Sequence, residues 1–181
     1  MMNVKNYVLA AFGAAIIAVL AQVMLPVPPV PFTGQTLAVG LIATILGPRL
    51  GTLAVTVYLL LGAAGLPVFA GFTGGVAKLI GPTGGYLVGF LPAAYLMGLY
   101  LEKTSYTYVQ AAVANVIGMF VTLIFGTIWL KIAGDLSWEA ALAGGMIPFI
   151  IPGLIKAALA TWLGIFVRNR LMQAKLIALT N

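Results

Sequence analysis

Long apolar runs alternate along this chain with short breaks made of glycine, proline or charge. The first run, Tyr7 to Leu25, holds one polar residue in its second half, Gln22. It is longer than the roughly 7–15-residue apolar core of a secretory signal, and the chain stays apolar to its end, so it predicts helix one. Four prolines in Pro26-Val27-Pro28-Pro29-Val30-Pro31 then forbid a helix, and the stretch to Gln35 is expected to be extended. A shorter run, Gln35 to Leu46, ends at a predicted tight turn, Gly47-Pro48-Arg49-Leu50-Gly51, and a third run covers Thr52 to about Val68. The glycine-rich segment Phe69 to Lys78 separates it from helix four, which opens at Gly81-Pro82-Thr83-Gly84-Gly85-Tyr86 and reaches about Leu101. Helix five is expected from Tyr108 to Leu130. A polar patch with Lys131, Asp135 and Glu139 follows, in which Ser137-Trp138-Glu139 can open a short interfacial helix. Helix six runs from Pro148 or Pro152 to Val167.

The pattern predicts an all-α integral membrane protein, one bundle of six transmembrane helices over residues 1–181 with irregular loops on its outer face. Composition strengthens this: 62% of the residues are apolar and 7% charged, against about 45–50% and 25% in soluble domains. Such a chain cannot cover itself with water-facing side chains. The formal charge of +6 comes from basic residues spread singly along the apolar chain, which speaks for orientation in a membrane and against nucleic acid. With the N-terminus inside, Lys5, Arg49, Lys103, Arg168, Arg170 and Lys175 lie on the cytoplasmic side, and Lys78 and Lys131 outside. Both termini are then cytoplasmic, in a multi-pass cell-membrane protein. The proline-rich, glycine-rich and Lys131–Ile147 segments all fall on the outer face.

Irregular backbone at membrane depth is tolerated where it is buried in protein or lines a cavity, so these loops suggest an outer pocket. Lys156 lies within helix six, twelve residues before Arg168, which at about 1.5 Å per residue puts it about 18 Å above the inner end. An ammonium inside a span costs about 2.5–3.5 kcal/mol on insertion scales and marks a functional site by default. A carboxylate on a small ligand is a natural partner; snorkelling to the headgroups is the alternative. The Gly81–Gly85 helix start offers unpaired N–H groups with partial positive charge and close access to backbone, although it also serves as an ordinary helix start. On helix one, Ala10, Ala14 and Ala18 recur at four-residue spacing with Ala11 and Ala15 on the adjacent row, a flank smooth enough for close helix contact. That flank either docks a partner or packs within its own bundle.

Several chemistries are excluded. Without cysteine or histidine there is no thiolate or imidazole metal site, and the two serines, Ser105 and Ser137, have no histidine to activate them. An enzyme is not expected, nor is a metal. No G-x-x-x-x-G-K-[ST] motif is present, so the chain cannot itself hydrolyse ATP for transport. The residues describe a binder without its own energy source.

Two strings, Pro29-Val30-Pro31-Phe32-Thr33-Gly34-Gln35-Thr36-Leu37-Ala38-Val39 and Gly81-Pro82-Thr83-Gly84-Gly85-Tyr86-Leu87-Val88-Gly89-Phe90, in register with six helices, resemble the BioY family. These are the biotin-binding S components of energy-coupling-factor (ECF) vitamin transporters. The resemblance implies capture of biotin, the transported ligand, with no cofactor, and delivery through a transmembrane coupling protein and two cytoplasmic ATPases. It implies contacts to the ligand from Lys156, Gln35, Thr36, Thr83, Gly84 and Gly85, with Tyr86 and Phe90 against its rings, and a coupling-protein contact on the Ala10, Ala14, Ala18 flank. Lys156 matches the lysine of an Asp-x-x-Lys pattern, with Gly153 standing where the aspartate is expected. The competing expectation is a structural or assembly membrane protein whose Lys156 holds a lipid phosphate.

Overall fold

The computed structural model describes residues 4–26 and 29–177. Its helices are α1 (Val4–Ala21), α2 (Gln35–Ala63), α3 (Val76–Ile80), α4 (Gly84–Lys103), α5 (Tyr108–Ala133), α6 (Trp138–Gly145) and α7 (Ile147–Gln173), with a two-stranded hairpin, β1 (Met24–Leu25) and β2 (Phe32–Thr33), after α1. Among the described residues, five helical stretches are long and apolar enough to cross a membrane.

The second of them is two helices. Gly47 breaks α2 with φ 76° and ψ −171°, a region essentially confined to glycine, and Pro48 restarts the helix where its missing N–H costs nothing. The halves fold back on each other: Gln35 near one end hydrogen-bonds Tyr58 near the other, and a Cβ on Gly51 would sit 3.1 Å from the Cα of Ala43. The bundle therefore has six limbs, as the runs predict. The expected turn at Gly47–Gly51 contracts to the single residue Gly47.

Helix one ends at Ala21, short of the expected Leu25. Gln22 turns its amide onto the glycine-rich loop, donating to the carbonyls of Ala18 and Phe69 (2.9 and 3.2 Å) and accepting from the N–H of Phe72 (2.8 Å). Beyond it, Met24 pairs with Thr33 and Leu25 with Phe32, so the chain reverses direction across the proline-rich segment, of which Val27 and Pro28 lie outside the described residues. The third limb stops at Ala63 and not Val68, because Gly65 (φ 98°) leaves the helical region and Pro67 follows. Lys78 lies on α3, a short helix inside the segment read as irregular. Ser137 caps α6, accepting from the N–H of Ala140, so a short helix opens where one was expected. Helix α7 continues past Val167 to Gln173 and contains Pro152.

Small residues allow the limbs to approach closely. Gly13 on α1 fits between Ile42 and Ala54, one from each half of α2, and Gly98 on α4 meets the Gly47-Pro48 turn. Large apolar side chains such as Phe12, Ile151 and Trp162 stay 60–72% exposed on the outside of the bundle, where lipid and not water is their solvent. The start of α1 and the residues just after α7 lie at the same end of the bundle, since the Lys5 ammonium donates to the Lys175 carbonyl at 2.7 Å.

Candidate functional site

At the opposite end from the termini, the β2–α2 junction, the Phe69–Thr73 loop, α3 and the start of α4 close over a cavity whose walls are α4, α5 and α7. The three irregular segments do converge. Tyr86 on α4 donates to the carbonyl of Gly145 at the end of α6 (2.7 Å), Phe32 stacks on Phe149 at 4.4 Å, and Pro29 meets Gly144.

Six of the expected residues, Lys156, Gln35, Thr36, Thr83, Tyr86 and Phe90, line this one space. They come from three limbs that are distant in sequence. Lys156 reaches back from α7 and donates to the Thr33 carbonyl at 3.1 Å, which uses one of its three N–H donors. The Gln35 amide is committed to the protein, donating to the Tyr58 hydroxyl at 2.5 Å and accepting from Thr33 Oγ1 at 3.0 Å. Gln35 and Thr36 at the start of α2 and Thr83 before α4 line the cavity; the Gln35 N–H donates to Thr33 Oγ1 at 3.3 Å and the Gly84 N–H to the Gly81 carbonyl at 2.9 Å. Two helix N-termini with their partial positive charge thus face the space that holds Lys156. Lys78 adds a second ammonium, and among the described residues no acidic one lines the cavity. Its deeper walls are apolar and adaptable, with Phe90, Met97, Met119 and Phe149.

Gly84 and Gly85 do not line it. A Cβ on Gly84 would run into the backbone of Leu79, and one on Gly85 would lie 2.7 Å from the Phe125 carbonyl and against Trp129. Their lack of a side chain lets α4 pack on α3 and α5. Gly153 does line the cavity, facing Met119.

The alanine flank divides. Ala10 and Ala14 are 1% exposed within the core shared with α2, and Ala18 is half-buried against it. Ala10 and Ala14 pack in their own bundle, while Ala18 keeps part of its surface exposed. The adjacent Ala11 and Ala15 are exposed.

Sequence reasoning passed over Lys78, Asn115 and Phe149 as cavity residues. For Asn115 a signal existed, because a side-chain amide stands in the middle of an otherwise apolar span.

The family model described as BioY matches residues 1–173. This chain belongs to the BioY family. Among its relatives, biotin transporter BioY2 of Lactococcus lactis is 46% identical over 167 residues, covering 91% of this chain and 92% of that protein. The probable biotin transporter BioY of Pyrococcus horikoshii is 40% identical, with 88% and 93% covered. The fold is similar to a crystal structure of the S-component for biotin from an ECF-type ABC transporter, with a TM-score of 0.86, 30% identity, and 93% of this chain and 95% of that chain covered. Members of this family are transporter components, and the chain is a membrane protein and not an enzyme.

Proposed function

We propose that this chain is a biotin-binding membrane subunit that captures biotin at the outer face of the cell membrane and delivers it for ATP-driven uptake by an ECF transporter. The observation that carries the reading is the polarity of the cavity. Lys156, Lys78 and the starts of α2 and α4 gather positive charge at its mouth, while the remainder is mostly aromatic, aliphatic and methionine side chains, with Asn115 and Thr122 as polar exceptions. A carboxylate on an apolar tail and ring fits that arrangement, and the names carried by its relatives point to the same ligand. Lys156 binds the valerate carboxylate, Thr36 and Thr83 lend hydrogen bonds, and Tyr86 and Phe90 pack on the ring system.

The basic residues give the orientation, with both termini and the Gly47 turn in the cytoplasm. Coupling to a transmembrane protein and two ATPases runs over the exposed side of α1, on the Ala11 and Ala15 row.

Purification in detergent followed by calorimetry against a panel of water-soluble vitamins tests the function. Stoichiometric binding of biotin and no other vitamin is expected. Co-purification of lipid alone, with no biotin binding, would support the lipid-holding alternative instead.

A further inference from the structure

At the deep end of the cavity Asn115 projects from α5 and is 4% exposed. Its amide orientation is fixed by two acceptors. The Ala111 carbonyl can only accept, and takes a hydrogen from Nδ2 at 2.9 Å. The Thr44 hydroxyl spends its own proton on the Gly40 carbonyl (2.8 Å), so it too can only accept from Nδ2, at 3.0 Å. Thr161 on α7 stands 3.4 Å away on the same side. Both amide hydrogens are thereby used, and Oδ1 is turned the other way, toward Gly40. A Cβ on Gly40 would overlap it.

Gly40 and Asn115 both line the cavity, and among the described residues no donor is directed at Oδ1. An acceptor that opens on the cavity can take a hydrogen from a ligand. The cavity is therefore sorted end to end. The two ammonium groups and the positive ends of two helices stand at its mouth, and a fixed acceptor stands at its floor. Thr161 follows Lys156 by five residues, about 7.5 Å along α7, so the two ends are well separated.

We propose that Asn115 is a specificity-determining residue whose Oδ1 accepts a hydrogen bond from a ureido N–H of the ligand, seating the ring end inward and the carboxylate end at Lys156. The inference rests on biotin being the ligand. It assigns the recognition of the N–H end to a group that is held in a single orientation by α2 and α5 before the ligand arrives, so little ordering is needed on binding. A carboxylate cannot take that place, since it brings lone pairs to a lone pair.

The test uses the purified chain in detergent and compares biotin with biotin methylated on each ureido nitrogen in turn. Wild-type protein is expected to bind at least one methylated form tenfold or more weakly than biotin. Asn115→Leu should lose tenfold or more for biotin and bind that methylated form about as well as biotin, so the ratio of the two affinities falls toward one. If Asn115→Leu does not give monodisperse protein, Gly40→Ala carries the same reading. Its methyl displaces Oδ1, and the ratio reports the lost acceptor separately from general crowding, which weakens both ligands alike. Equal binding of biotin and both methylated forms by the wild type overturns the proposal, as does a ratio that survives in the variant. Failure of biotin itself to bind the wild type defeats the functional reading instead, so the two failures are distinct.

Discussion

Lys156→Met removes the ammonium and keeps an unbranched apolar stem of similar length, suited to a span that faces apolar neighbours. A hydrogen bond to a charged group is worth about 1.5–3 kcal/mol, and at about 1.4 kcal/mol per decade this corresponds to roughly 10–150-fold in Kd. Part of the lysine's effect runs through the protein, because its bond to the Thr33 carbonyl ties α7 to β2. Calorimetry with two ligands separates the contributions. Biotin should bind the variant at least tenfold more weakly than the wild type. A neutral biotin amide should bind the wild type less well than biotin does, yet bind the variant about as well as biotin. A variant that keeps the affinity of the wild type, or that discriminates between acid and amide as the wild type does, would refute the charge contact. Lys78 also lines the cavity but is exposed to water, where an ion pair is worth about 0–1 kcal/mol, so Lys78→Met should weaken biotin about fivefold at most.

Other outcomes follow from the packing. Ala14→Trp forces a large ring into a 1%-exposed position and should lower the melting temperature and lose biotin binding together, whereas Ala15→Trp, on the exposed row, should leave calorimetric affinity unchanged and abolish ATP-driven uptake of radiolabelled biotin in cells that carry the coupling components. Equal phenotypes for the two would defeat the assignment of rows. Gly85→Val should lower melting temperature and affinity in parallel, since its new methyls meet Trp129 and the Phe125 carbonyl; a normal melting curve with lost binding would instead put Gly85 in the ligand site. Gly47→Ala, at φ 76°, should cost about 1–3 kcal/mol of stability in detergent unfolding while biotin affinity holds, because the turn lies at the far end from the cavity.

The helices were legible because a lipid-crossing span must satisfy its backbone internally, and the interruptions at Pro26–Pro31 and Gly47-Pro48 are what such spans cannot accommodate. Lys156 was legible for the same reason, as an ammonium among apolar residues. The interior and exterior of a membrane bundle are both apolar, however, so periodicity does not say which side of a helix faces inward. That is why the spacing of Ala10, Ala14 and Ala18 leaves docking and internal packing both open, although Ala10 and Ala14 are buried against α2. Glycine is ambiguous in the same way: Gly84 and Gly85 admit neighbouring helices, not the cavity. The end of the third limb was misplaced because Ala64 to Val68 continues the hydrophobic run after the helix has ended.

The short first half of α2 has an electrical consequence. From the Gly47 turn, beside Tyr106 and Arg168, the chain climbs only twelve residues to Gln35, about 18 Å of a hydrocarbon thickness near 30 Å. With the Gly47 turn at one face of the hydrocarbon, the start of α2 and the Lys156 ammonium beside it would lie about 12 Å short of the other face. Dissolved salt screens charges over about 8 Å in physiological solution but hardly reaches those held within protein and lipid. An anion drawn in there meets a field that the ionic strength outside does little to weaken, so the same grip would serve a cell in fresh water or in brine.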